Sequence, residues 1–192
     1  PTAEAMVSVM DIVLLRGFGI YEAMTTFNRK PFMFADHMAR FQYSADILHI
    51  KVPVTGDEIL LVINDLMERN VPEGEVTVKF ILTGGTAIGG IEYNYDTPTF
   101  YILVEPLISY DTHYYTEGAM VTVFDYQRQF PQLKTTNYIQ AVLLQQSRKD
   151  SGAVEILYTS GNRVLECATS NFFIVKGGKI ITSKDDILLG VT

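Results

Sequence analysis

"TGDEILLVINDLMERNVPEGEVTVKFILT", residues 55–83, changes its grammar halfway along. Thr55 and Glu58 make the T-x-x-E pattern of a capping box, in which two side chains satisfy backbone N–H groups at a helix start. Ile59, Val62, Ile63 and Leu66 then recur at helical spacing as an inner face, and the helix is expected to end near Asn70. "VTVKFILT" (76–83) reads as a strand. Helix and strand therefore share one short segment, and the fold must pack both.

Upstream, "YEAMTTF" (21–27) and "KPFMF" (30–34) flank Asn28-Arg29 and read as a hairpin. Asp36 is expected to cap a helix running to about Leu48, with Met38, Phe41, Ala45 and Leu48 as its apolar stripe. Downstream, "TFYILVEP" (99–106) is a second strand, reached through the glycine-rich "GGTAIGG" (84–90) and a tyrosine-rich stretch. Hairpin, two helices and strand pair make residues 1–108 an α+β unit. After Pro106 the pattern shifts. "AMVTVFDY" (119–126) is a strand, and a helix is expected over about 136–150 with Ile139, Val142, Leu143 and Gln146 on one face. Short strands follow at 154–158, 163–166, 171–176 and 179–182. A boundary near 106–115 makes 109–192 a second domain.

The composition narrows the function classes. The 192 residues are 47% hydrophobic and 19% charged, which is ordinary for a soluble globular protein. Net charge is −7 without a dense basic patch, which argues against nucleic acid as a partner. No apolar run approaches the ~20 residues that span a bilayer, so no membrane partner is expected. A single cysteine, Cys167, excludes an internal disulfide framework and suits a reducing cytosol. No charged-then-apolar leader is seen, and the expected location is cytoplasmic. The chain opens on Pro1 and stops at the apolar "ILLGVT" (187–192), so the expectation is that it is the central part of a longer protein.

Few residues offer chemistry. His37, His49 and His113 show no metal-ligand spacing and read as isolated polar residues, so no metal is expected. "GGTAIGG" lacks the Lys-Ser/Thr of a phosphate loop and reads as a flexible connection, a candidate mobile loop. Cys167 reads as a buried structural thiol. Lys134 stands between Leu133 and two threonines, just ahead of the expected helix and not on a polar face. Taken singly, Lys134 is a solvated charge, Arg40 an ion pair with Asp36 four residues earlier, and Glu166 a strand-end charge. Taken together they are an amine, a cation and a carboxylate. A carbonyl cofactor with a phosphate tail and a basic ring nitrogen needs those three groups, and pyridoxal phosphate is that cofactor.

Longer motifs carry a resemblance. "RGFGIYEAM" (16–24), "FADHMARFQYSADIL" (34–48), "RQFPQLKTTNY" (128–138) and "ECATSNFFIV" (166–175), followed by "IIT" and "ILLGVT", resemble the signatures of class IV pyridoxal-phosphate aminotransferases. That family includes branched-chain aminotransferases, D-amino-acid aminotransferases and aminodeoxychorismate lyases. The resemblance implies the fold-type IV architecture: a small α+β domain, a larger pseudo-barrel domain that is incomplete in this chain, the cofactor between them, and a homodimer. It implies that Lys134 binds the cofactor's aldehyde and shuttles protons, that Arg40 binds its phosphate and that Glu166 partners the ring nitrogen. It sets Tyr138 near the phenolic oxygen and has Asn171 fix the strand beside the ring. The backbone of Val191 and Thr192, with the Thr192 hydroxyl, is expected to bind phosphate, and Tyr21 and Lys79 to line the substrate side.

The chain also departs from the family pattern. Cys167 replaces a usual glycine. Glycines and Ile91 stand where D-amino-acid enzymes have an arginine and a histidine near 84–91. Lys79 replaces the arginine of branched-chain enzymes, keeping the charge but losing the fork. Thr135 replaces a histidine frequent in the lyases. The leading expectation is an aminotransferase moving an amino group between an amino acid, branched-chain-like or D, and a 2-oxo acid. The alternatives are a lyase that eliminates pyruvate and a non-catalytic α+β protein whose three charges are surface groups.

Overall fold

The Thr55 capping box forms as read. In the computed structural model, which describes residues 4–191, the Thr55 hydroxyl accepts from the Glu58 N–H and the Glu58 carboxylate accepts from the Thr55 N–H. The chain divides into two compact units, Pro1–Ile108 with Lys134–Asn137, and Ser109–Leu133 with Tyr138–Thr192. The lysine segment thus groups with the first unit although it lies within 109–192 in sequence. Thr192 itself is outside the described residues.

The first unit runs α1 (Ile12–Arg16), β1 (Gly19–Phe27), β2 (Lys30–Pro31), α2 (Phe34–Ile47), α3 (Gly56–Asn70), β3 (Val76–Thr83), β4 (Ala87–Gly89), β5 (Glu92–Tyr93) and β6 (Thr99–Pro106). An antiparallel sheet has the order β2-β1-β3-β6. Asn28 and Arg29 both take positive φ (51° and 56°), which closes the β1–β2 hairpin with the twist antiparallel strands prefer. Period-2 alternation sends Ile20 and Met24 of β1 and Val76, Val78, Phe80 and Leu82 of β3 to one buried face. Phe41 and Ala45 of α2 and Ile59, Ile63 and Met67 of α3 close over it. Phe80 meets Phe41 edge-on at 5.9 Å between centroids.

Two helix readings shift. Asp36 is not the cap of α2. The helix starts two residues before it from Met33, whose φ of 48° is left-handed, and Asp36 sits in the first turn, where its charge suits the helix dipole. On α3, Val62 is 44% exposed and Met67 takes the buried position beyond Ile63.

The second unit runs α4 (His113–Thr116), β7 (Val121–Asp125), α5 (Ile139–Leu143), α6 (Gln145–Asp150), β8 (Glu155–Ser160), β9 (Arg163–Cys167), β10 (Phe173–Lys176) and β11 (Lys179–Thr182). β7 and β8 are parallel, a pairing that needs a crossover connection such as the one carrying α5 and α6, and β9 returns antiparallel to β8. β10 and β11 form a separate hairpin. Ile156, Tyr158, Leu165, Ala168 and Ile187 gather around Ala141 in the core of this unit.

The helix expected over 136–150 begins at Ile139 because the chain before it is extended. It is interrupted at Leu144, where the Ala141 carbonyl accepts from the Gln145 side-chain amide at 3.0 Å. Its faces are also turned from the reading: Ile139, Val142 and Leu143 are 69%, 66% and 70% exposed, while Ala141 is buried and Leu144 packs on the core.

The glycine loop is tied down at its root. Asp11 is fully buried, caps α1 by accepting from the Val13 N–H at 2.9 Å and accepts from the Thr83 hydroxyl at 2.9 Å. The Ile12 N–H donates to the Gly85 carbonyl at 2.8 Å. Gly85 has φ +76°, and a Cβ there would stand 2.0 Å from the Thr97 carbonyl oxygen. Gly85→Ala is therefore expected to destabilise the protein by about 1–3 kcal/mol in urea unfolding. Gly89→Ala, where a Cβ meets nothing within 4 Å, should stay within about 0.5 kcal/mol of the parent.

Candidate active site

In the first unit the lysine is fixed through its backbone. The Tyr21 N–H donates to the Lys134 carbonyl at 2.9 Å and the Thr136 N–H to the Gly19 carbonyl at 3.0 Å. Residues 134–136 thus extend the sheet along the outer edge of β1, with Ile20 and Thr135 as bridge partners. Gly19 permits the approach, since a Cβ there would meet the Leu82 carbonyl at 3.0 Å and the Thr136 hydroxyl at 3.4 Å. The Lys134 Nζ lies 4.6 Å from the centre of the Tyr21 ring, a cation–π distance.

Tyr21 points away from the helices, and so do its neighbours in register. Tyr21, Ile81 and Tyr101 form one cross-strand row, and Ala23, Lys79 and Leu103 the next. Lys79 therefore shares the open face of the sheet with Tyr21, one diagonal step from it. Its Nζ donates to Glu105 at 2.6 Å, with both side chains substantially exposed. Burial pushes the Tyr101 phenol above its ordinary value, and the Asp11 charge adds to the effect.

Arg40 meets a buried carboxylate. Its Nε donates to Glu22 Oε2 at 2.9 Å and its Nη2 to Glu22 Oε1 at 2.5 Å. Glu22 is fully buried on the core face of β1, between Ile20 and Met24. His37, one turn earlier on α2, is also buried and contacts Glu22 Oε1 through Nδ1 at 3.0 Å. The reading of His37 as an isolated polar residue is corrected: it is one arm of a carboxylate clamp, and its Nε2 is a buried polar atom without a hydrogen-bond partner. Ser44 lies one turn beyond Arg40 on the same face of α2, and its hydroxyl accepts from the Lys134 N–H at 3.5 Å. α2 thus brings Arg40 within a helical turn of the lysine's backbone.

The second unit holds the expected ring partner. Glu166, at the end of β9, is 6% exposed and so is not a solvated strand-end charge. Oε1 accepts from Arg128 Nε at 2.9 Å and Oε2 from the Leu188 N–H at 3.1 Å. Asn171 donates from Nδ2 to the Leu188 carbonyl at 2.8 Å, so both faces of one peptide segment are tied to this strand end. Tyr138 packs against the core of this unit, and Val191, the last described residue, is half-buried. Burial, with the charges of Glu155 and Glu166, pushes the Cys167 thiol up to about 11, which leaves it protonated and unreactive at neutral pH. Among the described residues, no group of three or more His, Cys, Asp or Glu side chains could hold a metal, and no helix is long and apolar enough to cross a membrane.

Three residues of this geometry were passed over in the sequence: Glu22, His37 and Arg128. Glu22 left a signal, because it is a charge at an inward position of an alternating strand and demands a buried partner. Arg128 opens the "RQFPQLKTTNY" motif, but its segment is irregular and without period, so nothing there announces the carboxylate it meets.

The amino-transferase class IV family matches residues 19–192. The D-alanine aminotransferase of Staphylococcus aureus is 31% identical over 201 residues, covering 99% of this chain and 68% of that protein. The aminodeoxychorismate lyase of Bacillus subtilis is 28% identical over 198 residues, covering 98% of this chain and 67% of that protein. Among solved structures, a fold IV-transaminase from Curtobacterium pusillum superposes with a TM-score of 0.83 at 23% identity, over 100% of this chain and 67% of the other, a likeness of fold.

The Glu22 clamp has a consequence for stability. Burial pushes the Glu22 carboxyl up, but hydrogen bonds from His37 and Arg40, the Arg40 charge and the Ala23 N–H outweigh it, and the group is held below its ordinary 4.5. A lowered folded value means stability that is present above 4.5 and lost as pH falls through that lower value. Glu22→Gln should cost about 3–5 kcal/mol at neutral pH by removing the buried charge that Arg40 and His37 face. The gap to the parent should close on acidification below about pH 4.5, checked by urea unfolding between neutral and acid pH.

Proposed function

The chain belongs to the amino-transferase class IV family, and on that premise we propose that it is a pyridoxal-phosphate-dependent aminotransferase moving an amino group between an amino acid and a 2-oxo acid. The observation that carries the reading is the setting of Lys134: a half-buried amine over the Tyr21 ring, on a backbone pinned to the edge of β1. A lysine with only a solubilising role needs no such anchoring.

Pyridoxal phosphate, when bound, supplies an aldehyde carbon that takes up the amino group and a ring that withdraws electrons from the substrate's α-carbon. The donor set fits that group: an anchored amine, a guanidinium one turn away along α2, and a buried carboxylate. Lys134 would hold the group at its aldehyde carbon, the aldehyde oxygen leaving as water, and would carry the proton to and from the α-carbon. Arg40 would donate to the phosphate, as would the backbone N–H of Val191. Glu166 would accept from the ring nitrogen and keep positive charge on it favourable. Tyr138 serves the phenolic oxygen, and Asn171 braces the strand end. Tyr21 and Lys79 line the substrate side. Glu105 already pairs with Lys79, so that cation is met by a second acidic group only in competition with it. Neutral, branched-chain-like amino acids of either hand therefore suit this face better than acidic ones. The same reading carries a homodimer and a cytoplasmic location.

The test is reconstitution with pyridoxal phosphate. A visible band at about 400–430 nm, and borohydride reduction that fixes the cofactor to Lys134 in a mass-mapped peptide, are expected. The loaded protein should convert an amino acid with 2-oxoglutarate. Turnover of aminodeoxychorismate in place of transamination would make it a lyase, and a protein that stays colourless would overturn the cofactor reading. Lys134→Ala should lose the band and the turnover while keeping the parent's far-ultraviolet circular dichroism. Retained turnover without added amine would remove Lys134 from the chemistry.

A further inference from the structure

Arg128 does three things at once. Its Nε donates to Glu166 Oε1 at 2.9 Å, its Nη1 to the Leu133 carbonyl at 3.0 Å and its Nη2 to the Pro131 carbonyl at 2.5 Å. The side chain is only 14% exposed and that of Glu166 8%. Such a planar fork satisfies several acceptors in fixed directions, which a lysine cannot do. Leu133, whose carbonyl it holds, is fully buried and is the residue bonded to Lys134. The segment 126–133 has no helix or strand ladder of its own before the Lys134 pairing begins. Side-chain donation from Arg128 therefore takes the place of that ladder at Pro131 and Leu133.

We propose that Arg128 is a positioning residue for this enzyme: it orients the carboxylate of Glu166 and keeps a cation beside it, and with the same fork it sets the backbone that leads into Lys134. The proposal rests on the roles assigned above to Glu166 and Lys134. It adds that one guanidinium both holds the ring-nitrogen partner and fixes the segment that ends at Leu133, the residue bonded to Lys134. A carboxylate that loses an adjacent cation protonates more readily, so the acid limb of the activity profile must move to higher pH when the guanidinium is removed. A backbone that loses two side-chain donors becomes open to cleavage.

The variants are Arg128→Gln and Arg128→Lys, each loaded with pyridoxal phosphate. Both should keep KM for the amino donor near the parent's while kcat falls, on the order of a hundredfold for Gln, since a misplacement of about 1 Å is enough for that loss. In Arg128→Gln the acid limb of kcat should shift upward, and the circular dichroism of the visible band should shrink as the ring loses its fixed setting. In the Glu166→Gln background, Arg128→Gln should leave the acid limb where it is. Without cofactor, limited proteolysis should cut Arg128→Gln between 128 and 134 faster than the parent. If Arg128→Gln does not fold, Arg128→Lys decides, because it keeps the charge and loses the fork. A parental kcat and parental proteolysis in a folded variant overturn the proposal. A parent protein that binds no cofactor at Lys134 overturns the functional reading instead, so the two failures are distinguishable.

Discussion

Glu22 is the constraint from which the first unit is best understood. A carboxylate with no exposure, on the core face of a central strand, is tolerated only if its oxygens are matched by donors. Those donors come from His37 and Arg40 on α2 and from the Ala23 N–H. The helix is thereby locked in rotation as well as in distance. Phe41 and Ala45 then fall into the apolar core, and Ser44 reaches the backbone of Lys134. A hydrophobic stripe alone fixes which side of a helix is buried but leaves it free to slide; an ion pair with two hydrogen bonds does not.

That rotation decides what Arg40 can do. A buried ion pair contributes little net stability, because desolvation of both ions offsets most of their attraction. An apolar pair of the same volume would hold α2 to β1 as well. What an apolar pair would not give is a guanidinium oriented by its own counter-ion one turn from the lysine. The second unit repeats the arrangement with Arg128 and Glu166, again an arginine fork on a nearly buried carboxylate. In both units the charge assigned to the cofactor is held by a partner that is not.

The α+β order of the first unit was legible because its periods are clean. The capping box at Thr55, the strands 76–83 and 99–106 and the Asn28-Arg29 turn each express a local rule, and each stands where that rule puts it. Local rules failed where long-range pairing overrode them. Thr136 falls inside the expected helix but is taken up beside β1, since the Gly19 carbonyl offers it a partner 117 residues away. The apolar spacing of Ile139, Val142 and Leu143 pointed to a buried face, yet the side of the helix that packs is the one with Ala141 and Leu144. Periodicity identifies a stripe and does not say which neighbour will cover it. Met33 in a left-handed conformation displaced the helix start from Asp36, and nothing in a methionine announces that.

The candidate site divides along the same line. Lys134, Arg40 and Glu166 could be picked out because their residue types match the needs of one cofactor and their motifs match one family. Glu22, His37 and Arg128 could not, because their work is done on other residues. A group that meets a ligand is constrained by the ligand's chemistry, which is known in advance. A group that meets another side chain is constrained only by a fold, and the fold must be seen first. His37 shows the difference most sharply: without the position of Glu22 it is one of three scattered histidines, and with it the imidazole is a buried arm of the clamp that sets Arg40. The residues that govern orientation in this protein are therefore those whose sequence context is least informative, and they become visible only as hydrogen-bond partners of the residues that the chemistry selects.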